Sequence, residues 1–235
     1  MVAAVTRATQ TLLLSVTGTV LIRMAAGDTY LNYVNSWMRW PLIVCGVLLV
    51  LLGLVEVWKV DDPRQPDEEP GSSHVPRAAW LLFAPSVVFF LIAPPALGAH
   101  FAERAQTVSV PVEQSSEVDF PPLPSTDPVP VAIDEVLLRA AYDDGETLAD
   151  RSLEITGFVS RNRSGWYVTQ FSMNCCAADA FVMRVLANGA EPPPDDQWVR
   201  VTGTHVSGTG NEGRTVPEMT VESLELIDAP KNQYR

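Results

Sequence analysis

The chain has 235 residues, with 28 acidic against 16 basic side chains and a formal net charge of -12. That balance argues against nucleic-acid binding, because neutralising phosphates needs a basic surface. Residues 1–100 are mostly apolar while the remainder holds most of the acidic excess, so two unlike parts are expected.

The first apolar segment, 11–27, reads as a short transmembrane helix with Arg23 near one end, placed to snorkel to the interface. GDTYLNYVNSWMRW follows as a tight aromatic connection in which Asp28 is positioned to start a helix cap. The run 40–58 is close to the ~20 apolar residues that span a bilayer, and Trp37, Trp40 and Trp58 bracket it as interfacial anchors. Cys45 lies inside that run as a small apolar residue. Residues 59–77 are rich in Pro and charge and read as a solvated loop, with His74 a solvated loop residue. A third apolar run, 78–99, reads as a returning helix that Pro85, Pro94 and Pro95 kink or end. Together these predict a three-helix transmembrane domain over 1–100. Arg7, Lys59, Arg64 and Arg77 on one side outnumber Arg23, Arg39 and Arg104 on the other. This predicts a multi-pass protein of the cell membrane with its C-terminal half outside the cytoplasm.

Residues 101–130 read as a Pro-rich tether, whose prolines favour extended or polyproline II backbone. The segment 131–235 reads as a separate β domain. Ile133, Val136 and Leu137 fall at helical spacing within 131–143, after which the period changes. Strands are predicted at 153–161, 166–173, 180–186, 198–206 and 215–227, with Arg163 to Gly165 turning the first hairpin and a proline opening the last pairing. Five short strands in so few residues point to a small closed barrel resembling an OB-fold. The fold class expected is therefore a membrane-anchored α+β chain: three transmembrane helices followed by an OB-like β-barrel.

Chemistry concentrates in FSMNCCAADAFVMRV, 171–185. Successive side chains of a strand point to opposite faces, so Cys175 and Cys176 imply a break, bulge or turn. One functional reading is a metal site formed by Cys175, Cys176 and Asp179, with His205 as a further ligand candidate. Two thiolates favour zinc or copper(I) over magnesium or calcium, although adjacent cysteines differ from the C-x2-4-C spacing of structural zinc sites. A vicinal disulfide is a second reading. In the third, the thiols are packing residues and Asp179 caps a turn. With no GxSxG, no phosphate-binding glycine loop, no HExxH and only three histidines, an enzyme is not expected.

Three apolar N-terminal segments, GDTYLNYV, ITGFV, CCAADA, WVRVTGTHV and LIDAPKNQY together resemble the YcgQ-type family of bacterial membrane proteins, described as permease subunits. The resemblance covers nearly the whole chain, and its matched motif residues are Cys175, Cys176 and Asp179. The chain departs from the pattern at Gln170, where arginine is usual, and at NQYR, where the family ends on a more acidic sequence. The resemblance implies a non-enzymatic accessory subunit that works with a larger polytopic permease-like protein in the bilayer. The competing expectation is a membrane-tethered thiol-redox or envelope-assembly factor, or a purely structural interaction module.

Overall fold

The structure is a computed structural model of the chain and describes residues 2–60, 96–104, 120–143, 145–210 and 216–235. The chain divides into two compact units, Met1–Pro95 and Ala96–Arg235.

In the first unit, α1 (Val2–Ala26) and α2 (Arg39–Val60) form an antiparallel pair joined by short 3-10 turns at Thr29–Asn32 and Ser36–Met38. Glycine lets the two backbones approach closely: a Cβ on Gly18 would stand 2.6 Å from the Gly46 carbonyl oxygen, and one on Gly46 would stand 2.9 Å from that of Gly18. Arg39 Nε closes the connection by donating to the Ala25 carbonyl at 3.1 Å. Asp28 precedes the first turn, but its side chain does not make the expected cap. Among the described residues one helical stretch, Ser36–Trp58, is long and apolar enough to cross a membrane, and the apolar part of α1, Thr11–Ala26, is shorter. Val44, Leu48, Leu51, Leu52 and Val55 of α2 are exposed, as is Cys45. The loop expected over 59–77, beyond Val60, and nearly all of the helix expected at 78–99 lie outside the described residues.

The second unit is a six-stranded mixed sheet with helices. Its elements are α3 (Ala99–Arg104), β1 (Val129–Pro130), α4 (Ile133–Tyr142), β2 (Ser152–Asn162), β3 (Gly165–Ser172), β4 (Phe181–Asn188), β5 (Trp198–His205) and β6 (Glu218–Leu226). Strand β2 is long enough to pair with β5 along its first part, Ser152 to Phe158, and with β3 along its second, Phe158 to Asn162. Antiparallel β3–β4, parallel β4–β6 and antiparallel β6–β5 pairings complete the circuit back to β2. Gly203 sits at the irregularity where β5 meets β6; a Cβ there would lie 2.1 Å from the Thr220 carbonyl oxygen. Apolar side chains that alternate along the strands, including Ile155, Val159, Val168 and Val201, meet Val136 of α4 in the main core.

The segment expected to be a free tether is fastened to this unit wherever it is described. Ala99 and Ala102 of α3 are buried against Phe158, Phe171, Trp198 and Tyr234 in a second cluster. Asp196 accepts the Ala99 N–H, and the Tyr234 hydroxyl accepts the Leu97 N–H at 2.8 Å. At the other end, β1 pairs in parallel with β2, and Arg151 donates to the carbonyls of Pro124 and Thr126. The compact C-terminal unit thus begins at Ala96, upstream of the expected 131, and among the described residues backbone groups of 97–99 and 121–130 find partners on it.

Candidate metal centre

Strand β3 ends at Ser172, and the chain enters a loop that makes a single 3-10 turn at Ala177–Asp179 before β4 begins. The break expected at the cysteine pair is therefore a loop between two paired strands. Its entry is fixed from below. Phe171 is buried, and Arg235 donates its N–H to the Phe171 carbonyl at 3.0 Å while accepting the Met173 N–H at 2.8 Å. The 234–235 segment thereby continues the pairing of β3 up to the residue before Asn174.

Asp179 folds the loop back on itself. Its Oδ1 accepts the Asn174 N–H at 3.0 Å, and its Oδ2 accepts the N–H groups of Cys175 at 2.8 Å and Cys176 at 3.4 Å. A carboxylate with three such donors is held in its charged form. The Cys175 thiol adds a fourth and the largest contribution, so Asp179 lies below the usual carboxylate range. The reciprocal effect falls on the thiol. Bonding to Asp179, followed by bonding to Cys176, pushes the Cys175 pKa up from 9.0 to about 12.

Both thiols are free, half-buried and 3.7 Å apart at sulfur. With the exposed Asp179 carboxylate they place one sulfur, a second sulfur and an oxygen within 4.8 Å of one another. Two soft donors beside one anionic oxygen suit a thiophilic cation, which would take the place of the thiol proton. The same setting disfavours a reactive thiol, since thiolates are generated in electropositive surroundings.

His205 is not brought to this group. It ends β5, seven residues beyond Trp198 and so about 20 Å along the strand from the cluster beneath the loop. It is 8 % exposed, and among the described residues neither ring nitrogen has a hydrogen-bond partner of ordinary geometry. Gly145 packs directly on it, for a Cβ there would stand 2.5 Å from Nε2. Burial lowers the His205 pKa, against smaller opposing effects from the Glu218 backbone and Asp143. Below 6.5 the unfolded chain then binds a proton that the folded domain refuses, so stability is complete above 6.5 and declines as pH falls through the folded pKa. Titrating domain stability from about pH 7.5 to about pH 5 should show this loss, and His205→Phe should reduce it relative to the parent chain. An identical pH profile in the two proteins would contradict that assignment.

Sequence reasoning missed the contributions of Tyr234, Arg235 and α3 to the base of the loop. The signal available was the aromatic Tyr234 near the end of an otherwise polar NQYR sequence.

Residues 136–235 match the family model of the DUF1980 C-terminal domain, a family of uncharacterised function. The match starts within α4 and takes in the whole circuit β2 to β6 together with the cysteine loop. No curated protein and no solved structure matches the chain.

Proposed function

We propose that the chain is a membrane-anchored, non-enzymatic accessory subunit of a permease, related to the YcgQ-type proteins, whose C-terminal domain binds a thiophilic metal ion, zinc or copper, outside the cytoplasm. The observation that carries this reading is the convergence of Cys175, Cys176 and Asp179 on one loop. The strand order β2-β3-β4-β6-β5, with β5 returning to β2, supports an OB-like barrel as the carrier of that loop. The apolar stretch Ser36–Trp58, with its exposed aliphatic side chains, supports anchoring in a bilayer.

The full chain, expressed natively and purified in mild detergent under reductant, is expected to carry zinc or copper and to bring down a polytopic membrane protein. The Cys175→Ser, Cys176→Ser double variant is expected to lose the metal to background while still extracting with membranes. Equal, negligible metal in both proteins would end the metal reading. A solitary monomer without a polytopic partner would end the subunit reading, and a reporter after Arg235 that is active only in the cytoplasm would overturn the orientation.

A further inference from the structure

We infer that Cys175, Cys176 and Asp179 form a three-donor site for a tetrahedral divalent cation, zinc, with a fourth position that no other His, Cys, Asp or Glu among the described residues fills, so that the ion is held as exchangeable cargo. This rests on the metal reading above and adds the identity of the ion and the manner of its release.

The spacing of the sulfurs is compatible with a tetrahedral ion. Two thiolates bonded to zinc at about 2.3 Å and subtending a tetrahedral angle stand about 3.8 Å apart, whereas two placed linearly across an ion at similar bond lengths stand about 4.6 Å apart. The observed separation is 3.7 Å, with the Cys175 thiol donating to the Cys176 sulfur, so an ion that displaced that proton would find the sulfurs already near the tetrahedral distance. The loop therefore presents its sulfurs at tetrahedral spacing, with a carboxylate oxygen in reach as the third donor. A linear copper(I) dithiolate would require the two sulfurs to separate.

The number of donors decides the type of site. Structural zinc sites are closed by four protein ligands, while three protein ligands leave a position for water or an incoming group. Among the described residues the cluster contains these three and no fourth His, Cys, Asp or Glu, and His205 is buried elsewhere. Nor is an ion required to shape the loop. Asp179 already fastens it through three backbone N–H groups, and Phe171, Met173 and Arg235 fix its entry. An ion at a half-buried, prefolded, three-donor site with an exposed carboxylate can be handed on without unfolding the domain that holds it.

Cobalt(II) bound to the reduced full chain in mild detergent tests this, because its d–d bands report coordination number and its sulfur-to-metal charge transfer reports the thiolates. Intense tetrahedral bands are expected, with zinc displacing the cobalt. Added imidazole should shift the bands by replacing the external fourth ligand. Tetrahedral bands that do not respond to imidazole would show a closed site and overturn the open position, leaving metal binding intact. Binding of copper(I) with no uptake of cobalt or zinc would overturn the tetrahedral assignment alone. Failure to bind any of the three would remove both this inference and the metal reading beneath it.

Discussion

Replacing Phe171 with alanine is expected to destabilise the C-terminal domain by about 3–5 kcal/mol, the usual range for truncating a buried phenylalanine in a core that relaxes only partly. The side chain is 1 % exposed and stands at the centre of an aromatic group. Phe158 stacks on it at 5.6 Å, Phe101 meets it edge-on at 6.3 Å, and Tyr234 lies tilted at 6.4 Å. Removing it leaves a cavity shared by β2, α3 and the 234–235 segment, which approach from widely separated parts of the sequence and cannot close over the gap together. Hydrogen exchange of the β2–β6 amides should accelerate by roughly two to four orders of magnitude. Phe171→Leu, which keeps more of the volume, should cost clearly less. Because Phe171 lies four residues before Cys175 and its carbonyl accepts from Arg235, the proposed metal site predicts weaker binding in the alanine variant than in the leucine variant. A loss below about 1 kcal/mol would show that the cluster does not support the domain in this way.

The strands were legible because their information is local. The alternation in LEITGFVSR, WYVTQFSM and WVRVTGTHV places β2, β3 and β5 within a residue or two of their observed ends. The helical spacing of Ile133, Val136 and Leu137 does the same for α4. Two adjacent cysteines cannot occupy one face of a strand, and this alone located the loop that holds the candidate site. What escaped notice depends on pairs distant in sequence. The union of Leu97 with Tyr234, or of Ala99 with Asp196, produces no periodicity in either partner, so α3 read as part of a tether. His205 alternates with apolar neighbours in β5 and is buried as they are, yet its polarity invited a ligand assignment. Polarity likewise concealed the most deeply buried charge among the domain's described residues.

That charge is Arg139, and Arg139→Ala is expected to cost about 2–4 kcal/mol, somewhat below the range for breaking a fully buried ion pair. Its side chain is 1 % exposed, but the partner Glu135 is 40 % exposed and would regain water when released. The remaining partners have less recourse. The guanidinium donates to Glu135 Oε1 from both Nε and Nη2, to Thr147 Oγ1 and to the Pro121 carbonyl, and it lies 4.9 Å from the centre of the Phe120 ring. One planar group thus joins α4 to the turn that follows it and to the 120–121 segment, a role suited to its fixed fork of donors. Alanine would leave a cavity, an unsatisfied carbonyl and a freed aromatic ring, so 120–121 should detach while the strand circuit persists. Methionine of similar length would restore packing without restoring donors and should recover part of the loss. Limited proteolysis between Phe120 and Val129 separates these contributions. Rapid cleavage is expected in Arg139→Ala, slower cleavage in Arg139→Met, and resistance in the parent chain. Equal resistance in all three would mean that β1 and Arg151 hold the segment without the guanidinium, through the β2 pairing and the bonds to Pro124 and Thr126.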